Sequence, residues 1–548
     1  MKIRDRLGIL SLFLLLAPVA YSTILNSFFL SDDFVLIGRI LEGDHSVTWG
    51  LAQGGFFRPL LILCLFIDSA LWGTVSAGYH LSNIALHGLN SYVVFVLTSR
   101  LTRNLGRESG LSLRVSVLAG LIFLLLPSHT EAVTWISGRA DLLATFFALM
   151  ALVSFVAYKR EGRRRYPAYI VILFMFALLS KESAICLPLI VIAFEIYYAV
   201  QQGKTFDLRA LKLSGLLVLT LLFYLLIRYA LLGTLVGGYG PSHYFNFKIS
   251  LLWERLPKFA VRCVLPPLPE QLSSILTKPF KSIWFIVFAF LCVVFTTTLL
   301  VYRHKLMSPA VRKAQNAFLV LLLGSFLCSL LPVITMGISL FDTLGERFVY
   351  LPSVFSSIAV AYLSVALIPK VKRWMVLVLC LVIFYSASLY RSNKNWNEAA
   401  TLSQSILQDL AGLSRHDEIL ILNVPGSLRG VPVYRNGLEE ALTTFQHSKQ
   451  LKGIQVVAYH DVPTLLSEID VTKSSDDVLI RLLNEKMEFT QVNNTVECAA
   501  VVEQSRKLLR IKLQDCFVGK DLFFFQHGRM IEASNILSTP SVFSVPPP

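Results

Sequence analysis

Long apolar runs alternate along the chain with short, mostly basic connections, and several runs reach the roughly 20 residues a helix needs to cross a bilayer. The pattern predicts a polytopic α-helical membrane protein. The first run, about Leu7 to Leu30, follows Lys2, Arg4 and Arg6 and ends at Ser31-Asp32-Asp33-Phe34. It mimics a secretory leader, but it exceeds the usual apolar core of about 7–15 residues. No small-residue cleavage site precedes the aspartates, so it reads as a retained span. The apolar piece Pro59 to Trp72 is only about 14 residues long and suits a re-entrant or interfacial helix.

Charge parity orders the remaining runs. Further spans are read at 80–97, up to Pro127, 142–158, 169–179, 185–200, 213–232, 283–302, 318–336, 352–368 and 374–390, giving eleven with the first. Every inner turn is then basic. The strongest is Lys159-Arg160-Glu161-Gly162-Arg163-Arg164-Arg165, and Lys370, Lys372 and Arg373 make another. That is the positive-inside pattern, with the N-terminus cytoplasmic. Counting Pro59–Trp72 as a span would invert everything after it and put the basic loops outside.

Residues 391–548 therefore face outward. Hydrophobicity drops here, and the runs Ile419–Leu422, Ile454–Ala458 and Leu508–Leu513 suit strands. A linker-like helix is expected near Trp396–Leu410. The division is a membrane domain over 1–395 and an extracytoplasmic α+β domain over 396–548. Tandem repeats of 20–50 residues are not evident in the sequence.

Composition narrows the class. Of 548 residues, 55% are hydrophobic and 16% charged, which is far too apolar for a soluble globular protein. The net charge of +15 lies in loops between spans, not in a groove for nucleic acid. Cys64, Cys186, Cys263, Cys292, Cys328 and Cys380 fall in or near membrane segments and read as packing residues. Cys498 and Cys516 lie in the tail, where a disulfide is open to them. Asn493-Asn494-Thr495 matches a glycosylation sequon, a triplet common by chance.

Under this topology five charged groups share the outer ends of the spans. They are Asp32-Asp33; Arg58; His129, Glu131, Arg139 and Asp141; Lys181-Glu182; and Glu346-Arg347. A carboxylate beside an apolar wall is suited to take a proton from a hydroxyl. The alternative is a helix-end pair solvated by water. Two carboxylates alone are too few to hold a divalent cation, although His80 could join them. Arg139, Lys181 and Arg347 suit a phosphate. Their alternative is pairing with Glu131, Asp141, Glu182 and Glu346, and a pair can also orient its cation. His80, Asn83, His87 and Asn90 form one polar stripe on a helix. For His87 and Asn90 the better reading is hydrogen bonding within the bundle, whereas His80, at the outer end, is placed to reach substrate.

These segments together resemble a family. Ser31-Asp32-Asp33-Phe34, Phe57-Arg58-Pro59-Leu60 and Gly78-Tyr79-His80-Leu81-Ser82-Asn83 look like the start of a GT-C-type glycosyltransferase. Pro127-Ser128-His129-Thr130-Glu131, Trp135-Ile136-Ser137-Gly138-Arg139-Ala140-Asp141, Leu179-Ser180-Lys181-Glu182 and Glu346-Arg347-Phe348-Val349-Tyr350-Leu351-Pro352 continue it. The resemblance is to the membrane portion of the tetratricopeptide-bearing O-mannosyltransferases and their bacterial relatives, over roughly residues 1–395. It implies a polyprenyl-phosphate sugar donor, a hydroxyl-bearing acceptor and an acidic residue of the first outer loop as base. Asp32 or Asp33 would be that base, and Arg347, Lys181 and Arg139 would hold the lipid phosphate. An inverting displacement follows from the same resemblance. The tail departs from the family, because 391–548 shows no 34-residue period. A bacterial inner membrane is the expected setting.

Two other classes compete. A transporter or flippase of lipid-linked glycans would place charges near the midplane on broken helices and show internal repeats. A scaffold that binds through its tail leaves the aspartates and the boundary cations unexplained.

Overall fold

The structure is a computed structural model that describes residues 3–44, 55–103, 105, 110–203, 211–235, 238, 248–268, 309–414, 416–445, 453–464, 469–474, 477–497, 499–513 and 521–533. The expected span 283–302, Cys292, Cys498 and Cys516 lie outside these residues. The chain forms two compact units. One comprises Met1–Ser22, Ser46–Cys64 and His80–Asn393; the other comprises Thr23–His45, Leu65–Tyr79 and Lys394–Pro548. The second unit thus takes in two stretches that a sequence division at residue 395 leaves with the membrane portion.

The helices, in chain order, are α1 Ile3–Ala20, α2 Asp32–Leu41, α3 Pro59–Trp72, α4 Ser76–Thr102, α5 Leu111–Leu125, α6 Thr130–Thr134 and α7 Arg139–Glu161. There follow α8 Arg165–Ser180, α9 Leu187–Gln201, α10 Lys212–Leu232, α11 Ile249–Arg262, α12 Pro309–Leu330, α13 Pro352–Leu367 and α14 Val371–Leu413. Among the described residues six helices are long and apolar enough to cross a membrane, or seven if the bent pair Leu111–Leu125 and Pro127–Thr134 is one span. Pro59–Trp72 is a separate apolar helix of 14 residues. Helix α10 leaves Leu219, Leu222, Phe223 and Leu226 exposed on its outer surface, as a lipid-facing helix does.

Several boundaries differ from the sequence reading, among them the end of the first span and the extent of the last; the expected span 318–336 is the helix Pro309–Leu330. The first helix stops at Ala20, not Leu30, and is followed by a single 3-10 turn, Ser22–Ile24. Pro18 cannot donate within the ladder, and Ser22 and Thr23 favour turns over helix interior. At the other end, the expected span 374–390 and the linker helix are one 43-residue helix, α14. Neither Gly nor Pro occurs between Val371 and Ala411, so nothing breaks it.

Within the first unit the polar stripe of α4 is consumed by packing. Asn83 Nδ2 donates to Val133 O and Trp135 O, each at 3.1 Å. His87 Nδ1 lies 2.7 Å from the Tyr350 hydroxyl, and Asn90 Nδ2 donates to Leu142 O at 3.0 Å. These bonds tie α4 to the end of α6 and the residue after it, to α7, and to Tyr350 just before α13. A core of Phe259, Cys263, Leu330, Val333, Ile334, Ile338 and Val349 closes around Phe348.

In the second unit, the apolar runs read as strands form β1 Glu418–Leu428, β3 Gly453–Val462 and β9 Leu508–Leu513. The others are β2 Val431–Pro432, β4 Ile469–Ser474, β5 Asp477–Leu482, β6 Phe489–Val492, β7 Thr495–Val496, β8 Ala499–Gln504, β10 Asp521–Gln526 and β11 Arg529–Glu532. One sheet has the order β11-β10-β1-β3-β6 with β2 on β1; the other, antiparallel, is β4-β5-β9-β8-β7. Strand β1 is central, parallel to β10 and β3, and almost wholly buried. A central parallel strand is covered on both faces, which is why its run Ile419–Leu422 is apolar without alternation. His460 on β3 is fully buried between the rings of Phe489 and Phe525. Burial pulls its basicity down to about 3, because the charged ring would be stripped of water.

Candidate functional site

The turn 127–141 builds the centre of the first unit. Pro127 stops α5, a 3-10 turn leads into α6, and α7 begins at Arg139. Residues at this corner are therefore held by three short elements instead of a loose loop. The second contributor is the 3-10 turn Glu346–Val349. Gly345 enters it at φ +81°, and a Cβ there would sit 2.6 Å from Gly337 O. Only glycine meets both demands at once.

The two turns are joined by charge. Glu131 accepts from the Arg347 backbone N–H at 2.8 Å and stands 3.4 Å from its guanidinium. Thr130 Oγ1 donates to Glu346 at 2.8 Å, and the other Glu346 oxygen pairs with Arg262 of α11, both side chains fully buried. The Arg347 guanidinium lies over Trp135 at 4.9 Å and Phe348 at 5.2 Å. Its side chain keeps 18% of its surface accessible, against none for Arg262. Arg347 is thus the accessible cation of these two and Arg262 the structural one.

Lys181 and Glu182 lie where α8 gives way to a 3-10 turn. Lys181 Nζ contacts Asp141 at 2.5 Å and sits 5.5 Å from the Phe348 ring centroid. Glu182 is held by Arg58 at 3.0 Å and by Arg228 of α10 at 3.6 Å. Arg58 also lies 4.1 Å from the centre of the Phe56 ring. Arg139 donates to Asn83 Oδ1 at 2.6 Å and to Cys64 O at 3.4 Å. Among the described residues, the side chains named here are six cations and four carboxylates. Guanidinium and ammonium groups of this kind suit a phosphate.

Of the sequence-selected residues in this unit, Arg58 pairs with Glu182, Lys181 with Asp141 and Arg347 with Glu131, while Glu346 pairs with Arg262 and Arg139 bonds Asn83 and the Cys64 carbonyl. His129 takes a different place. Its Nε2 bonds Ser353 Oγ at 2.7 Å, and its ring packs at a tilt against Phe123 and Tyr350 and edge-on to His87 in the interior. His80 is buried in the first turn of α4. Sequence reasoning missed Arg228 and Arg262. Arg228 had a signal, a lone arginine inside the apolar run Lys212–Leu232.

Asp32 and Asp33 belong to the second unit and open α2, an amphipathic helix, instead of closing the first span. Asp33 is buried, and its carboxylate accepts from the Leu30 N–H at 3.2 Å. Its charge in the first turn of α2 matches the helix dipole there. Asp32 is partly exposed, and its Oδ1 accepts from Asn436 Nδ2 at 2.7 Å. Among the described residues no group of three or more His, Cys, Asp or Glu side chains could hold a metal ion.

No family model matches the chain. It is similar to Protein O-mannosyl-transferase TMTC3 of Homo sapiens, 25% identical over 459 residues, covering 77% of this chain and 47% of that protein. Protein O-mannosyl-transferase TMTC4 of Homo sapiens is 27% identical over 351 residues, covering 54% of this chain and 45% of its own length. Drosophila melanogaster Tmtc1, also named a Protein O-mannosyl-transferase, is 32% identical over 188 residues, 31% of this chain and 20% of that one. The resemblance read from the sequence is thus to proteins named as transferases, and the chain spans about half their length or less. Among solved structures, ArnT from Cupriavidus metallidurans bound to undecaprenyl phosphate aligns at TM-score 0.43 and 13% identity, covering 92% of this chain and 98% of that one. The apo Archaeoglobus fulgidus oligosaccharyltransferase aligns at 0.39 and 11%, covering 75% and 58%.

Proposed function

We propose that this chain is an inverting glycosyltransferase that moves a sugar from a polyprenyl-monophosphate carrier to an acceptor hydroxyl at the outer face of the membrane. Eleven spans and an extracytoplasmic tail form part of the proposal, as does residence in a bacterial inner membrane. The observation that carries it is the pair of cations, Lys181 and Arg347, that share the Phe348 ring. The names of the curated relatives support a sugar transfer, and mannose is the first sugar to test.

In this reading Arg347 and Lys181 hold the donor phosphate, supported by Arg58 and Arg139. Glu131 and Asp141 keep the cations oriented before the donor arrives, so little reorganisation is needed in the reaction. Asp32 takes the proton of the acceptor hydroxyl as its oxygen bonds to the anomeric carbon. The carbon–oxygen bond to phosphate breaks on the opposite face, and its electron pair leaves with the polyprenyl phosphate. A sugar on phosphate is already activated, so positioning and charge stabilisation supply much of the barrier reduction.

The test is release of free polyprenyl phosphate. Purified protein in detergent is given polyprenyl-phosphate hexoses, mannose first, with a mixed pool of hydroxyl acceptors. Acceptor-dependent release supports the proposal. Movement of the donor across liposomes without release would overturn it in favour of transport.

A further inference from the structure

The tail supplies an amide to the aspartate that the proposed reaction uses as base. Segment 433–437 lies along the start of α2 and bonds it three times within the second unit. The Ser31 N–H donates to Val433 O at 2.9 Å. Ser31 Oγ donates to Asn436 Oδ1 at 2.7 Å, and Asn436 Nδ2 donates to Asp32 Oδ1 at 2.7 Å. Asn436 therefore bridges the hydroxyl and the carboxylate of adjacent residues.

The approach is built into the backbone. Gly437 has φ +79°, and a Cβ on it would lie 2.8 Å from Ser31 O and 3.0 Å from Phe34 Cβ. The neighbouring Tyr434 ring stacks on Phe34, centroids 5.6 Å apart at 12°, and its hydroxyl donates to Ser403 O of α14. Tyr434 and Phe34 are buried, whereas Asn436 is exposed. An exposed asparagine set on such a rigid seat has a fixed direction without being part of the core.

The two aspartates are treated differently by this arrangement. Asp33 is buried with its carboxylate on the helix start. Asp32 is turned outward, one oxygen fixed by Asn436, and among the described residues its Oδ2 accepts no hydrogen bond. A carboxylate with one oxygen anchored and the other open is set to receive a proton.

We infer that Asn436 is a positioning residue that aims Asp32 at the acceptor hydroxyl, so that the β-rich tail is part of the transfer machinery and Asp32, not Asp33, is the base. This inference rests on the glycosyltransferase reading above. Misplacing a general base by about 1 Å costs up to roughly a hundredfold in rate.

The experiment compares Asn436→Ala, Asn436→Gln, Ser31→Ala and Asp32→Asn in the full-length protein, reading acceptor-dependent release of polyprenyl phosphate. Asn436→Ala is expected to lower kcat about 10- to 100-fold with the KM for the lipid donor unchanged. Asn436→Gln, which keeps the amide one methylene further out, recovers part of that loss. Ser31→Ala loses less than Asn436→Ala, because the bond to Asp32 survives. Added to Asp32→Asn, Asn436→Ala brings no further loss. If Asp32→Asn abolishes release and Asn436→Ala turns over like the parent, the inference fails and the transferase reading stands. If the parent itself releases nothing with any donor, the transferase reading fails first. A parallel rise in donor KM, or equal loss in Asn436→Ala and Asn436→Gln with reduced thermal stability, would mark Asn436 as structural only and overturn the inference.

Discussion

Lys181 and Arg347 stand on the same phenylalanine: the Lys181 ammonium is 5.5 Å and the Arg347 guanidinium 5.2 Å from the centre of the Phe348 ring. They come from turns more than 150 positions apart in the chain. Each is also paired with a carboxylate, Asp141 and Glu131. The ring and the carboxylates together let two cations share a small apolar volume, which bare like charges would resist.

Removing one member of the Lys181–Asp141 pair should show two separate losses. Lys181→Met leaves Asp141 buried without its cation, a change worth about 3–5 kcal/mol of stability. Adding Asp141→Asn should restore most of the melting temperature but not turnover. Recovery of turnover along with stability in the double variant would argue against a donor-binding role for Lys181.

Arg347 should resist replacement by lysine. A point charge cannot reproduce a planar fork lying over Trp135 and Phe348 while facing Glu131. Arg347→Lys is expected to raise the KM for the lipid donor about tenfold, equivalent to about 1.4 kcal/mol, with little change in melting temperature. A donor titration checks this, and an unchanged KM would count against phosphate contact.

Arg262 and Glu346 should behave as scaffold. Both are fully buried, and Glu346 is also held by Thr130. Either single change, Arg262→Met or Glu346→Gln, should cost about 3–5 kcal/mol, whereas the double apolar replacement Arg262→Met with Glu346→Leu should be much milder. Thermal melts in one detergent decide it; additive losses in the double variant would contradict the pairing.

How much of this was readable in advance follows the physics of each signal. Continuous apolar runs made α7, α9, α10 and the start of β1 legible, since an element covered by lipid or by other elements carries no polar face to confuse the period. The end of α1 was not, because Ser27 and Asn26 sit in an apolar context that masks Pro18 and Ser22 as breakers. The cations on the turns were visible as charges at helix ends, but not their partners. Pairing of Glu346 with Arg262 joins segments 84 positions apart, and amphipathic α11 offers nothing to single out that arginine among its charges. The bridge from Asn436 to Asp32 spans 404 positions, and a polar residue in a tail loop carries no mark of its target.

Acid should weaken the tail through His460. Its ring is held neutral down to about pH 3 in the fold, while an unfolded histidine takes a proton near pH 6.5. Between those values the unfolded chain binds the extra proton. The contribution is therefore complete above about pH 6.5 and declines as pH falls, by up to about 1.4 kcal/mol per unit. Urea unfolding followed by tail fluorescence from pH 7.5 to 4.5 measures it. His460→Leu should flatten the dependence, and an equally steep decline in that variant would assign the effect elsewhere.

The central claim is a transfer driven by one aspartate, and the direct measurement is turnover of Asp32→Asn beside Asp33→Asn in purified protein. With Asp32 as base, Asp32→Asn should lose about 100-fold or more in acceptor-dependent release of polyprenyl phosphate while melting like the parent. Asp33→Asn, which alters a buried carboxylate bonded to the Leu30 N–H, should lower the melting temperature and keep most turnover per folded molecule. Parent-level turnover in Asp32→Asn would contradict the account.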